Sequence, residues 1–418
     1  MSAPHTADQR VGAGSPALTR LLGDDAAGFA AQSWGRRALL TRAAQRGGDD
    51  FADLFSTDAV DELLSRRGLR TPFIRMARNG TTLPESSYTT GGGVGAGIGD
   101  QVSDDKVMAL FADGATIVLQ ALHRTWGPVV DLSQQLAADL GHPVQVNAYV
   151  TPPQSQGFSD HYDVHDVFVL QIHGAKRWAV REPVLDAPLR DQPWADRRAE
   201  VEAAAALPAH LQETFQPGDC LYLPRGFIHS AQALGGVSIH LTIGVHGWTR
   251  HHLAEGLIDQ ARARLREDAG VRASLPVQPH GSLAEDVALA RQALLRAVGD
   301  VPDEAVAAWL TGRARAAQRP EPVAPLAQLE AVQAVGAATL VRLRDHLMLE
   351  TIPGDGDEVV VRSRAGRVRM PSRVCAVLEA LEARGPSRVG DLDEDEHQAV
   401  ETVRLLVRHG IVVADDVA

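Results

Sequence analysis

Between residues 144 and 246 the chain runs through VQVNAYV, DVFVLQI, KRWAV, CLYLP and VSIHLTIGV, short segments rich in β-branched and aromatic residues and separated by Gly/Pro turns. The pattern predicts an antiparallel barrel or sandwich. Upstream, residues 16–80 mix helix and strand: LTRLLGD and DAVDELLSRRG read as short amphipathic helices, TPFIRMARNG as a strand and turn. Ser103 is placed to cap a helix through Phe111, ATIVLQAL follows as a strand, and Pro128 opens a helix that Gly141 closes. GGGVGAGIG at 91–99 does not fit GxGxxG and does not run into a helix, so it reads as a surface loop rather than a phosphate cradle.

Downstream of the strands the period changes again. HHLAEGLIDQARARLRED and SLAEDVALARQALLRAVGD have helical spacing, the second opening on a capping box of Ser282 and Glu285. QRPEPVAP at 318–325 marks a linker. From about 337 the order reads strand, strand, helix, helix, strand, the composition of a winged helix.

The strand region carries the chemistry. In SDHYDVHDVFVLQIHGAKRW, His161 and Asp163 stand two apart. On a strand, residues i and i+2 share a face, so an imidazole and a carboxylate can grip one ion. His229, in LYLPRGFIHSA, follows a strand and a Pro-Arg-Gly turn that can re-aim it inward. Two histidines and a carboxylate form the facial triad of non-haem Fe(II) oxygenases, in which three open positions take a keto-acid cosubstrate and O2. The bland alternative is that these are solvated or satisfied core groups. Lys176, on the next strand after the turn HGA, weighs against it, because a buried lysine needs an anion. Asn147 with Tyr149, and His240 with Thr242, form polar pairs inside apolar strands, each pair facing one way. His165 shares the face of His161 and is read as a neighbour of the site rather than a fourth ligand. His173 falls in a turn.

Charge bounds the partner. The net charge of −12 argues against nucleic acid and favours a basic protein or peptide. Residues 371–418 carry five arginines against ten carboxylates, a net of −5, and a helix opening on DEDE repels phosphate. Two cysteines, Cys220 and Cys375, lie in apolar stretches and read as reduced buried thiols, so the cytoplasm is the expected compartment. No apolar run reaches the ~18 residues of a membrane span. The first 15 residues read as a disordered tail, not a secretory signal.

The segments NAYVTPPQSQGFSDHYDVHDVFVLQIHGAKRW, LYLPRGFIHSA and SIHLTIGVH, in that order, resemble the JmjC ribosomal oxygenases, which hydroxylate ribosomal proteins. Weaker similarity runs from about residue 16, including SWGRRALL, to the C-terminus. The resemblance implies an α+β chain. Its expected parts are a JmjC double-stranded β-helix (cupin) barrel over 16–248, a helical dimerisation region over 249–335 and a winged helix over 336–418. It implies Fe(II) on His161, Asp163 and His229, with 2-oxoglutarate and O2 as cosubstrates. Lys176 is expected to pair with the far carboxylate of 2-oxoglutarate, with Asn147, Tyr149, His240 and Thr242 around it. A homodimer acting on a ribosomal or other basic protein follows. TPPQSQGF is similar to the histidyl-hydroxylase branch and DVFVLQ to the arginyl branch, so histidine is expected as the target and arginine second. Lysine demethylation, a small peptide or natural-product substrate, and a non-catalytic cupin-like regulator are the alternatives. The 91–99 loop and His165 are not part of the family pattern.

Overall fold

A computed structural model describes residues 15–78, 80–155, 158–277 and 283–414. The chain divides into two compact units, 1–247 and 248–418.

The first unit is built on a nine-stranded antiparallel sheet. Its strands are β1 (Leu39–Thr41), β2 (Ile74–Arg78), β3 (Thr81–Thr82), β4 (Thr116–Leu119), β5 (Val144–Thr151), β6 (Asp166–Arg181), β7 (Leu211–Phe215), β8 (Cys220–Leu223) and β9 (Ile228–Val245). They lie in the order β1-β8-β6-β9-β5-β4-β2-β3, with β7 on the far part of β6. The two long strands turn the sheet back on itself. The first half of β6 pairs with β8 and the end of β9, and its second half pairs with β7 and the start of β9. The result is consistent with a double-stranded β-helix.

DVFVLQI and KRWAV are therefore one 16-residue strand, not two, and HGA is a bend within it. His173 sits exposed on that strand rather than in a turn. The bend depends on Gly174, whose φ is +63° and whose missing Cβ would run into the Val237 carbonyl. Opposite it, the β6–β9 register shifts between Leu234 and Ile239. Gly174→Ala is expected to destabilise the protein by more than about 2 kcal/mol, from left-handed strain plus overlap. Urea unfolding reads this; a loss below about 0.5 kcal/mol, the range of neutral surface changes, would mean the bend tolerates a side chain.

Strand alternation divides the sheet's two faces. Phe168, Leu170, Val146, Ala148, Leu241 and Ile243 belong to a core cluster shared with the flanking helices, including Pro16–Leu22, Thr57–Arg66 and Gly127–Leu140. Val167, Val169, Trp178, Phe215, Leu221 and Leu223 form a second cluster on the opposite face. Both faces are covered, which is why these strands read as nearly continuous apolar runs. Gly141 closes its helix in the left-handed conformation as expected. Ser103 occupies the N-cap of Asp104–Ala112, but its hydroxyl makes no capping bond.

In the second unit, helices Arg250–Leu265, Ala284–Gly299 and Asp303–Ala317 share a small cluster of Ala261, Ala297, Val301 and Val306. Ser282, half of the expected capping box, lies outside the described residues. A separate core joins helices Val374–Arg384 and Glu396–Arg408 to strands Leu340–Leu343, Ser387–Arg388 and Val412–Ala414. A three-stranded meander, Glu350–Pro353, Glu358–Ser363 and Gly366–Pro371, adds more strand than the sequence pattern predicts. Asp395 caps Glu396–Arg408 by accepting from His397 and Gln398 N–H, so part of the DEDE acidity serves the helix end. Cys220 is buried and Cys375 only half-buried; both are free. Among the described residues no helix is long and apolar enough to cross a membrane.

Candidate metal centre

His161 and His229 are brought together by the backbone itself. They form an antiparallel bridge, His161 N–H to His229 O at 3.2 Å and His229 N–H to His161 O at 2.8 Å. Their ring centroids are 4.5 Å apart. The Pro-Arg-Gly turn reaches the same place, where Gly226 N–H donates to Asp163 O at 3.0 Å. The carboxylate Oδ2 of Asp163 then lies 3.6 Å from His229 Nε2. One ligand atom from each of the three residues falls within 4.8 Å of the others, the sole such group among the described residues.

The imidazoles are oriented for metal binding. His161 Nδ1 lies 2.8 Å from Ser159 O and His229 Nδ1 3.0 Å from Phe227 O. A carbonyl only accepts, so each Nδ1 carries the proton and each Nε2 keeps its lone pair for an ion. Burial pushes the His229 imidazole down to about 4, which keeps it neutral at physiological pH. Burial alone would raise the Asp163 carboxyl. His165, His229, His161 and Arg75 outweigh it and hold the group below the usual carboxylate range. Two imidazoles and one carboxylate, with no thiolate, fit a divalent ion such as Fe(II). Cys220 is no competitor, since burial pushes its thiol up to about 12.

The triad opens into a cavity lined by Tyr149, Thr151, Lys176, Trp178, His240 and Thr242. Lys176 is 3% exposed. Its Nζ lies 3.1 Å from Thr151 Oγ1 and 3.3 Å from His240 Nδ1, with no carboxylate in ion-pair reach among the described residues. Burial pushes its ammonium down to about 7. The ring of Tyr149 stacks on His240 at 4.9 Å, and Trp178 meets His240 edge-on at 5.3 Å. The pairs 147/149 and 240/242 are register partners, His240 opposite Tyr149 and Thr242 opposite Asn147. Asn147 does not line the cavity; its Oδ1 accepts the Ala121 N–H at 3.1 Å. His165 is not among the three ligands and packs against His246 at 5.0 Å.

Thr151, Thr116 and Trp178 escaped the sequence reading. Thr151 continues the 147/149 alternation by one step, a signal that was present; Thr116 reaches the cavity from another strand and bonds Thr151 at 3.4 Å, which no local pattern announces. Gln156 and Gly157 of TPPQSQGF lie outside the described residues.

Residues 128–253 match the family model described as JmjC domain. Fold and site thus define a JmjC-type barrel bearing a two-histidine, one-carboxylate metal centre. Human Ribosomal oxygenase 1 is 31% identical over 258 residues, which is 59% of this chain and 37% of that protein. The "Bifunctional lysine-specific demethylase and histidyl-hydroxylase NO66" of Culex quinquefasciatus is 29% identical over 219 residues, 52% of this chain and 32% of its own. The chain spans well under half the length of these curated relatives. Among solved structures, Escherichia coli ribosomal oxygenase YcfD covers 93% of this chain and 97% of its own, at a TM-score of 0.53 and 18% identity. The same Escherichia coli protein has been solved with cobalt and 2-oxoglutarate. Together these findings show a JmjC domain in a chain that is similar in sequence to the ribosomal oxygenases and shares the fold of one of them.

Proposed function

We propose that this chain is an Fe(II)- and 2-oxoglutarate-dependent oxygenase that hydroxylates a side chain of a ribosomal or other basic protein, histidine first and arginine second. The observation that carries the reading is the pairing of the triad with Lys176, a buried cation that lacks an anion, in one cavity. His161, Asp163 and His229 would hold the metal, which when bound supplies a redox-active Lewis acid where O2 and a keto acid can meet. Lys176 would hold the far carboxylate of 2-oxoglutarate, with the Thr151 hydroxyl beside it. The stacked Tyr149 and His240 rings and Trp178 form the wall of that end and exclude water. Incubation with Fe(II), 2-oxoglutarate and ribosomal proteins should yield succinate and a +16 Da product. The absence of both from metal-loaded protein would remove the reading.

Because Lys176 titrates near 7 in the free chain, pairing with a dicarboxylate above that pH requires proton uptake. Affinity for 2-oxoglutarate is expected to fall about tenfold per pH unit above 7 and to level off below it. Calorimetry in buffers of different ionisation enthalpy measures that uptake. An affinity that ignores pH from 7 to 9 would place the cation elsewhere.

The name of the Culex relative couples histidyl hydroxylation with lysine demethylation, so loss of 14 Da from a methylated peptide is the outcome that would favour the second activity. We propose further that the chain divides at 248/249 and 335/336, with the last part a protein-contacting winged helix. The middle part is proposed to form a homodimer. Ile258, Leu289, Leu294 and Leu295 are exposed on its helices, whereas Leu257 and Leu265 pack within them. Light scattering giving a monomer at micromolar concentration would remove the dimer.

A further inference from the structure

A second groove in the first unit lies away from the candidate metal centre. It measures about 930 Å³. Ile117 and Val150 line it, whereas their chain neighbours Thr116 and Thr151 line the metal cavity. Alternation along β4 and β5 therefore puts groove and metal on opposite faces of one sheet. Leu64 from the helix Thr57–Arg66 and Phe111 from Asp104–Ala112 extend the apolar lining. Met108, 66% exposed, continues that apolar lining out to the groove's surface.

The rim is acidic. Asp58 and Asp61 come from one helix, Asp104 and Asp105 from the other, and none has an ion-pair partner among the described residues. Glu62 also lines the groove but is taken up by Arg67. Arg66 is the one guanidinium there. First-turn placement explains Asp58, Asp104 and Asp105 in part, through the helix dipole. It does not explain Asp61, the apolar lining or Met108.

We propose that this groove docks a lysine- or arginine-rich segment of the protein substrate, seating one of its apolar side chains against Met108 and Phe111. The proposal rests on the reading of the chain as an oxygenase of a basic protein. Charge complementarity selects the occupant: four unpaired carboxylates against one guanidinium repel an acidic peptide or nucleic acid and attract a cationic segment. Docking away from the metal raises the local concentration of the target at the site, so it lowers KM and leaves the chemical step untouched.

The test uses the full chain and a labelled amphipathic peptide of lysine and leucine, followed by fluorescence anisotropy. Asp58→Asn, Asp61→Asn, Asp104→Asn and Asp105→Asn combined should weaken binding by about tenfold or more at low salt. Met108→Ser alone should weaken it several-fold even in 0.5 M salt, on the order expected for a lost apolar anchor. A control that removes four exposed carboxylates elsewhere, Asp259→Asn, Asp303→Asn, Glu304→Gln and Glu330→Gln, should bind as the parent does. Undiminished binding in the groove variants, or an equal loss in the control, overturns the proposal. Succinate formed without any protein target is measured alongside and should be the same in parent and groove variants. If that turnover is absent in all of them while the groove variants alone lose the peptide, the docking site stands and the oxygenase reading falls.

Discussion

Asp163→Ala is expected to abolish iron binding and turnover, by more than about 100-fold, while leaving the fold intact. Changes that only disturb groups around a metal ligand already cost roughly 10–100-fold, and this one removes a ligand outright. Asp163 is also the single anionic donor of the three residues. Without it, two imidazoles face a divalent cation with no anionic ligand to neutralise it. The fold should survive because the main-chain carbonyl of Asp163, not its side chain, anchors the Gly226 turn. Asp163→Asn separates charge from shape and should lose iron as completely as alanine. His161→Ala and His229→Ala should behave alike, since each supplies one free Nε2. Iron content, circular dichroism and succinate release measure the three consequences independently. Undiminished iron and activity in any one variant would exclude that residue from the centre.

Lys176→Met is expected to raise the KM for 2-oxoglutarate by roughly 100- to 4000-fold. Leaving one charge of a buried pair unpartnered costs about 3–5 kcal/mol, and each 1.4 kcal/mol is about tenfold. Methionine keeps much of the volume, so the loss reports charge rather than a cavity. The same substitution should stabilise the ligand-free protein. A buried ammonium beside a threonine hydroxyl and an imidazole recovers little of its hydration. The pH dependence follows from the direction of the shift. Lys176 in the folded chain titrates near 7, below its unfolded value. Between those two values the unfolded chain binds more protons than the native one, so native stability falls as pH falls through that window. The advantage of Lys176→Met should therefore grow from pH 10 down to 7 in thermal melts. An unchanged KM would place Lys176 outside the cosubstrate pocket, whatever the melts show.

Much of this was legible because strand chemistry is local. The two-residue spacing of His161 and Asp163 fixes a shared face whatever the rest of the chain does, and the 240/242 alternation fixes another. The β-rich segments between Gly/Pro turns announced the strands of a barrel or sandwich. The C-terminal helices were likewise readable from their order, whereas the capping role of Asp395 at the start of Glu396–Arg408 emerged only in the structure.

The bend at Gly174 was not legible, because a glycine between two strand-like runs fits a turn as well as a kink inside one strand. The difference is decided by Val237 and the β9 register shift, more than sixty residues away in sequence. Asn147 was misplaced in the same way: its alternation points inward, but the Ala121 N–H, from another part of the chain, claims its carboxamide. Thr116 entered the cavity from β4 without any signal of its own.

The sequence by itself determined which donor atoms are available and which share a strand face, since both follow from residue identity and a backbone period of two. Only the tertiary structure decided which donors converge. The His161–His229 bridge, the Gly226 contact to Asp163 and the burial of Lys176 without an anion all join residues distant in the chain. Such pairings are set by register and packing, and no local pattern encodes them.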